Sequence, residues 1–302
     1  MDIRSMIGHT PVLKINHMDI KEGVNLFAKL ELMNPAGSVK DRVGMYMVDD
    51  AVKRGVLKKG GTIVDATAGN TGIGIAVAAL NQGYRVIFTV PLKFSEEKQQ
   101  IMRALGADII HTPREAGMLG AEEKAEEILK NTEGAISLRQ FRNPANPLAH
   151  YETTGPEIYE QLDGQIDYLV AGAGSGGTFS GVVKYLKEKN PDIIGVLADP
   201  EGSTIGGGEH HDYDIEGIGN DFIADTMDIS LVDKVIKIND DEAFEASRLL
   251  AKKEGILAGS SSGAALAASL KLADEIDHGN IVTIFPDRGD RYLSKGLYKT
   301  VM

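Results

Sequence analysis

The residue with the greatest chemical reach in this 302-residue sequence is Lys40, which follows Asn34, Pro35 and Gly37 in the segment LELMNPAGSVKDR and stands just ahead of a predicted helix. A lysine amine attacks a carbonyl only when its pKa is lowered and a carbonyl partner is at hand. One segment shows neither, so a solvated surface charge is the competing reading. Two glycine-rich junctions offer a second kind of chemistry: TIVDATAGNTGIGIAVAAL (62–80) and YLVAGAGSGGTFSGVVKYL (168–186). In each, an apolar strand runs through small residues into an apolar-periodic helix. The first N–H groups of a helix are unpaired and carry partial positive charge, so they suit a carboxylate or a phosphate. Glycine removes the Cβ that would hold such a ligand away, and Ser175 and Thr178 add hydroxyl donors. Each loop alone is equally well a tight strand-to-helix turn.

A dinucleotide site competes for the second junction. Gly172, Gly174 and Gly177 have the G-x-G-x-x-G spacing, and Asp199 lies about 20 residues on, so an NAD(P) oxidoreductase stays open at this point. A Walker loop is excluded, because no G-K-[ST] follows the glycines. A third segment, LAGSSSGAALAASL (257–270), sets Ser260, Ser261 and Ser262 before a small-residue helix, where a serine N-cap is the plain reading. Asp221 reads as a loop carboxylate. His210 and His211 are adjacent and point apart, which makes a poor chelate, and no metal is expected. His111 reads as a strand-end residue and His150 as a loop residue. Zero cysteines remove disulfides, thiolate metal sites and a cysteine nucleophile together.

These segments must be held by a regular frame. Strands are predicted over 62–65, 85–89, 108–111, 167–171, 193–198, 234–238 and 281–285, and helices over 44–54, 72–81, 95–105, 121–130, 177–187, 240–253 and 262–276. Ser95, with Lys98 three residues on, and Asp240 read as helix caps. Strands separated by helices imply a parallel sheet. Runs such as VIFTV and IVTIF imply sheets covered on both faces, hence an α/β, doubly wound fold. The stretch 140–156, rich in Asn, Pro, His and Thr, reads as a loop or interdomain crossing. A cleft between two such blocks, outside the carboxyl ends of strands, is the expected ligand site.

Taken together, NPAGSVKDR, TAGNTGIG, GSGGT and GSSSGAA, in this order and spacing, resemble the fold-type II pyridoxal-phosphate enzymes, and more narrowly the cysteine synthase and cystathionine β-synthase branch. IGHTP near the start and KFSEEKQQIMRALGADI are similar to segments of that branch, and the likeness runs from Ile7 to Tyr292. It implies two doubly wound, parallel or mixed-sheet domains like those of the tryptophan synthase β chain, with the active site in the cleft between them. The large cofactor domain would span 1–41 plus 147–302, and the small mobile domain 42–146.

The resemblance also implies roles. Lys40 matches the lysine that bonds covalently to pyridoxal 5'-phosphate and then serves as base. Asn70 matches the asparagine on the cofactor's phenolic oxygen. Gly174, Ser175, Gly176, Gly177 and Thr178 match the phosphate loop, with Ser175 in place of the usual Thr. Ser260 matches the serine facing the pyridine nitrogen. Thr67, Ala68, Gly69, Asn70 and Thr71 match the loop that closes on the substrate carboxylate, with Ala68 in place of a Ser, and Gln140 matches a glutamine that holds the same group. Gly217 and Gly219 match the site wall. A neutral serine does not stabilise a protonated ring, which tilts the chemistry toward β-elimination and replacement and away from transamination.

The implied reaction is β-replacement on O-acetyl-L-serine, L-serine or L-cysteine through an α-aminoacrylate. The acceptor is homocysteine, giving cystathionine, or sulfide, giving cysteine. GIGNDFIADTMDISLVDK and FPDRGDRYLSK are similar to bacterial cystathionine β-synthases that use O-acetylserine, with Asp199 and Ala224 departing from the usual Glu and Pro. Asp221 would bind the amino group of homocysteine or activate water; the second role implies a cysteine lyase that releases sulfide. The C-terminal nucleotide-sensing pair and N-terminal haem segment of some relatives are not expected, and a homodimer is implied. Net charge −12 argues against nucleic-acid partners and anionic membranes. No apolar run approaches ~18 residues and no leader is visible, so a cytoplasmic enzyme acting on small amino-acid and thiol substrates is expected.

Overall fold

The computed structural model describes residues 2–299. In chain order the elements are β1 (Val12–Lys14), β2 (Val24–Leu30), α1 (Lys40–Lys53), β3 (Thr62–Ala66), α2 (Asn70–Ala79), β4 (Arg85–Pro91), α3 (Glu96–Ala104), β5 (Asp108–Thr112), α4 (Gly117–Asn131), β6 (Ala135–Ile136), α5 (Ala145–Ala149), α6 (Gly155–Gln161), β7 (Tyr168–Gly172), α7 (Gly177–Lys189), β8 (Ile194–Pro200), β9 (Lys234–Ile238), α8 (Asp240–Glu254), α9 (Ser260–Glu275) and β10 (Gly279–Phe285). A π-helical turn, His150–Thr154, joins α5 to α6. No helix of the described residues is long and apolar enough to cross a membrane.

The chain divides into two compact units. One comprises the described residues up to Ile7 and Lys40–Asn146; the other comprises Gly8–Val39 and the residues from Pro147 on. The first residues therefore group with the smaller unit, where Arg4 pairs with Asp49 of α1, whereas the sequence expectation placed them in the larger one.

The smaller unit holds a four-stranded parallel sheet in the order β5-β4-β3-β6. The chain lays β3, β4 and β5 side by side and then returns β6 to the opposite side of β3. That reversal puts the loops after β3 and β6 next to each other, at the switch point where open α/β sheets bind ligands. Helices α1 and α2 pack backbone to backbone. A Cβ on Gly44 would lie 2.3 Å from the carbonyl carbon of Gly74, and one on Gly74 would lie 2.1 Å from the carbonyl oxygen of Lys40.

The larger unit holds a six-stranded sheet, β1-β2-β10-β7-β8-β9, parallel except that β1 runs against β2. Its central strands β7 and β10 are apolar on both faces because both are covered. Val170, Val196, Ile281 and Phe285 pack into one core with α8 and α9, while Leu169, Leu197, Val282 and Ile284 pack into the other with α6 and α7. Here β7, β8 and β9 advance in one direction and β10 is placed on the other side of β7, so the second switch point lies between the ends of β7 and β10.

Local chemistry departs from the sequence reading in a few places. The Ser95 cap forms, accepting from the Lys98 N–H. At α8 the cap is Asn239, which forms a reciprocal capping box with Glu242, and Asp240 is the first helical residue. The stretch 140–156 is not a loop over most of its length. Asn143 accepts from the Ala145 N–H at 3.0 Å and the Thr153 hydroxyl donates to the Ala149 carbonyl, so its polar side chains cap and brace helix instead of breaking it.

Candidate active site

The smaller unit holds Lys40, the 67–71 loop and Gln140. Lys40 does not precede its helix but opens it, as the first residue of α1, half-buried. The loop after β3 turns at Gly69, which is extended and is the N-cap of α2 without a side-chain cap. A Cβ on Gly69 would meet nothing within 4 Å, so the turn leaves open space beside the start of α2. Thr67 and Thr71 are buried, and Ala68, Gly69 and Asn70 are half-buried. Across the switch point, the Thr71 hydroxyl donates to Gln140 Oε1 at 2.5 Å. The Gln140 backbone is held in turn by the Asn146 amide, which donates to its carbonyl at 2.8 Å. The structure thus brings Gln140 onto the 67–71 loop.

The larger unit holds the loop after β7, Ser260 and the 217–221 segment. Gly176 is left-handed (φ +78°) and is the N-cap of α7, again without a side-chain cap. A Cβ there would lie 2.3 Å from the Met227 Cβ, and one on Gly174 would lie 2.6 Å from the Gly217 carbonyl. Glycine at both positions is therefore required by protein neighbours. Ser175 is buried, and its carbonyl accepts from the Thr226 hydroxyl at 2.5 Å. Gly177 is buried and Thr178 half-buried at the helix start. The result is an uncapped helix N-terminus flanked by two hydroxyls, an anion cradle.

His150, which the sequence placed in a loop, is fully buried in the π-helical turn. Its Nε2 lies 3.1 Å from the Thr178 hydroxyl and its Nδ1 lies 2.9 Å from the Thr154 hydroxyl. Nothing in the local sequence gives this away, because the histidine and Thr178 sit on different elements. His111 lies within β5.

The wall is tied to the cradle. The Gly219 N–H donates to the Ala173 carbonyl and the Asn220 amide donates to the Gly174 carbonyl, both at 2.7 Å. Gly217 is left-handed with open space at its Cβ position. The Tyr213 hydroxyl abuts Gly219, and burial, with Asp199, Asp221 and Asp240 nearby, pushes its phenol up to about 12. It is a protonated donor at neutral pH. Asp221 itself is exposed.

Ser260 is not an N-cap; Gly259 is, and Ser260 is the first residue of α9. Its buried Oγ accepts from the Glu216 N–H at 3.0 Å, which leaves the hydroxyl proton to donate elsewhere. Beside it, a Cβ on Gly259 would lie 2.2 Å from Asp287 Oδ1, and the buried Asp287 accepts from the Tyr292 hydroxyl at 2.6 Å. Burial, with Asp287 next to it, drives the Tyr292 phenol well above its ordinary range. His210 and His211 bond through Nδ1 to the carbonyls of Gly202 and Asp212. Among the described residues no three His, Asp or Glu side chains are grouped to hold a metal ion.

Comparison with known proteins gives a consistent result. The profile of the family described as "Pyridoxal-phosphate dependent enzyme" matches residues 3–287. The chain is 52% identical over 299 residues to an O-acetylserine dependent cystathionine beta-synthase of Bacillus subtilis (strain 168), covering 99% of this chain and 97% of that one. It is 47% identical to a cysteine synthase of Helicobacter pylori (strain ATCC 700392 / 26695), with 98% of each chain covered. The crystal structure of an O-acetylserine dependent cystathionine beta-synthase from Helicobacter pylori superposes with a TM-score of 0.94 at 46% identity, covering 99% of this chain and 98% of the other.

Proposed function

This chain belongs to the pyridoxal-phosphate dependent enzyme family, and from that premise we propose that it catalyses β-replacement on a three-carbon amino acid carrying a leaving group on its β-carbon. The donor is O-acetyl-L-serine, L-serine or L-cysteine. The nucleophile is homocysteine, giving cystathionine, or sulfide, giving cysteine. The observation that carries this reading is the uncapped start of α7, where left-handed Gly176, Ser175 and Thr178 form a cradle suited to a phosphate dianion.

The donor set fits pyridoxal 5'-phosphate. The residues 174–178 would take its phosphate, Lys40 its aldehyde carbon, Asn70 its phenolic oxygen and Ser260 its ring nitrogen. Once bound, the cofactor supplies the electron sink that acidifies the substrate's α-carbon and lets its β-substituent depart. The rest is the chain's own work. Ser260 accepts from the Glu216 N–H and so offers its proton to an unprotonated nitrogen, a neutral partner that limits the sink and favours replacement over transamination. The N–H groups at the start of α2, with Thr67, Thr71 and Gln140, grip the α-carboxylate. Lys40 removes the α-proton. Asp221 receives the amino group of homocysteine or activates water, and the second role would make the protein a cysteine lyase releasing sulfide.

The test is direct. Purified protein should be yellow, and Lys40→Ala should abolish both the colour and turnover. Each donor is then supplied with sulfide or homocysteine and the products are identified by mass. Asp221→Asn should impair homocysteine transfer or hydrolysis more than cofactor binding; equal losses remove Asp221 from the chemistry. A colourless protein that binds NADH would overturn the proposal in favour of a dinucleotide enzyme.

A further inference from the structure

One buried carboxylate has no part in the chemistry above, although it lies at the switch point of the smaller unit. Asp65 is the fourth residue of β3, two positions before the 67–71 loop. The ladder between β3 and β6 stops early, at Ile63 opposite Ile136. Beyond that point the Asp65 side chain takes over the bonding. Its carboxylate accepts from the Ser137 hydroxyl at 2.6 Å, from the Leu138 N–H at 3.1 and 3.2 Å, and from the Arg139 N–H at 3.3 Å. In effect an acidic side chain replaces the strand partner for three successive residues and bends the chain across the end of β3.

The bend delivers Gln140. Arg139 is held left-handed (φ 49°), a conformation a non-glycine residue adopts only under constraint. The next residue, Gln140, meets the Thr71 hydroxyl at 2.5 Å. The segment is also braced from behind, where the Asn143 amide donates to the Leu138 carbonyl at 2.8 Å. The Arg139 guanidinium is turned outward to Glu126, at 2.9 Å. Burial pushes the Asp65 carboxyl above its ordinary range, and the bonds from Ser137, Leu138 and Arg139 offset this only in part. The Leu138 and Arg139 N–H groups can only donate, so the arrangement calls for acceptor oxygens at this position.

We propose that Asp65 is a positioning residue for substrate recognition: by binding residues 137–139 it sets Gln140 opposite Thr71, and thereby determines how tightly the enzyme holds the α-carboxylate of its amino-acid substrate. This rests on the carboxylate-binding role given above to Gln140 and the 67–71 loop. Asp65 touches neither substrate nor cofactor, and its influence passes through Gln140.

The test compares Asp65→Asn, Gln140→Ala and the double variant in the cofactor-loaded enzyme. Asn places an N–H₂ where the donors converge, so the 137–139 bend should slacken. Binding of L-alanine, which has no β leaving group, is measured by calorimetry beside ethylamine, the same molecule without its carboxylate. Asp65→Asn should weaken the amino acid roughly tenfold and leave the amine within about twofold. KM for the donor should rise while kcat stays within a factor of about three. In the Gln140→Ala background Asp65→Asn should have little further effect, the non-additivity of two groups acting as one. Amide hydrogen exchange at Leu138 and Arg139 should accelerate with and without cofactor.

Equal weakening of the amino acid and the amine, or additive effects in the double variant, overturns the proposal and leaves Asp65 a stability residue. If Asp65→Asn does not fold, Ser137→Ala, which keeps the charge and the backbone bonds, should show the same selectivity at about two- to fourfold; its absence overturns the proposal equally. A wild-type protein without β-replacement activity would instead refute the functional reading, so the two failures are distinguishable.

Discussion

Replacing Gly74 by alanine is the sharpest perturbation the fold offers, because the added methyl group meets backbone and not side chain. The new Cβ would lie 2.1 Å from the carbonyl oxygen of Lys40 and 2.6 Å from its carbon. Such contacts must open to at least 3.0 Å, so the first turn of α1 has to retreat by roughly 1 Å, since a carbonyl locked in a helix cannot rotate aside. Two terms oppose each other. Alanine in a helix interior is favoured over glycine by up to ~1 kcal/mol, while overpacking a close backbone contact costs about 1–3 kcal/mol. The second wins, for an expected net loss near 1–2 kcal/mol and a lower melting temperature.

Activity should suffer more than stability. Lys40 opens the helix that has to move, and a displacement of about 1 Å at a reacting group can cost on the order of 100-fold in rate. The assay is kcat/KM for β-replacement beside thermal unfolding and the visible absorbance of the cofactor. The expected pattern is a rate loss of at least about tenfold in a protein that still folds and still takes up cofactor. Gly44→Ala, whose Cβ would lie 2.3 Å from Gly74, should behave alike. Wild-type kcat/KM in Gly74→Ala, with an unchanged melting temperature, would refute the argument that this crossing holds Lys40 in place.

Two further outcomes are expected. Gly176→Ala combines a left-handed backbone with a Cβ 2.3 Å from that of Met227, whereas Gly207 has a similar φ, +86°, with open space. Equilibrium dialysis should therefore show cofactor affinity falling at least about tenfold for Gly176→Ala, with Gly207→Ala close to wild type. The second concerns acid stability. Burial pushes Glu254 up, but the N–H and ring of His17 and the N–H of Asn16 outweigh it and bring the carboxyl below its ordinary range. A lowered folded-state pKa contributes stability above the unfolded pKa and loses it as pH falls through the folded one. Glu254→Gln should accordingly melt below wild type at neutral pH, and the gap should close under acid conditions; a gap independent of pH would assign the effect to packing.

Much of the frame was readable because its signals are local. Strands such as 281–285 and the helix from 177 announce themselves by apolar runs and by glycine at the junction. What escaped depended on distant partners. β2 carries Lys29, fully buried, with its amine on the Thr10 carbonyl at 2.6 Å and Glu157 at 2.7 Å; a lysine in an apolar run reads as an interruption until its acid, 128 residues away, is in view. β6 pairs through two residues only. Helical structure from Ala145 was hidden by residues that look like loop formers but cap and brace it. The candidate site divides the same way. The motifs around Lys40, Asn70, Gly176 and Ser260 are contiguous and legible, while Asp65 and His150 matter through side chains they meet 72 and 28 positions along the chain.

The order of the larger sheet also governs how the chain is built on the ribosome. β2 takes its parallel partner from β10, and β10 alone bridges β2 to β7. Strand 24–30 is therefore made early and waits about 250 residues for the neighbour it pairs with, a separation that slows closure. The four-stranded sheet of the smaller unit can assemble once residue 136 has emerged, but the six-stranded sheet stays in two pieces, β1-β2 and β7-β8-β9, until residues 279–285 arrive. During synthesis β2 and β7 each present an unpaired edge. Those two apolar edges, not the surface of the finished protein, are where aggregation would begin and where a holding chaperone would have most to cover.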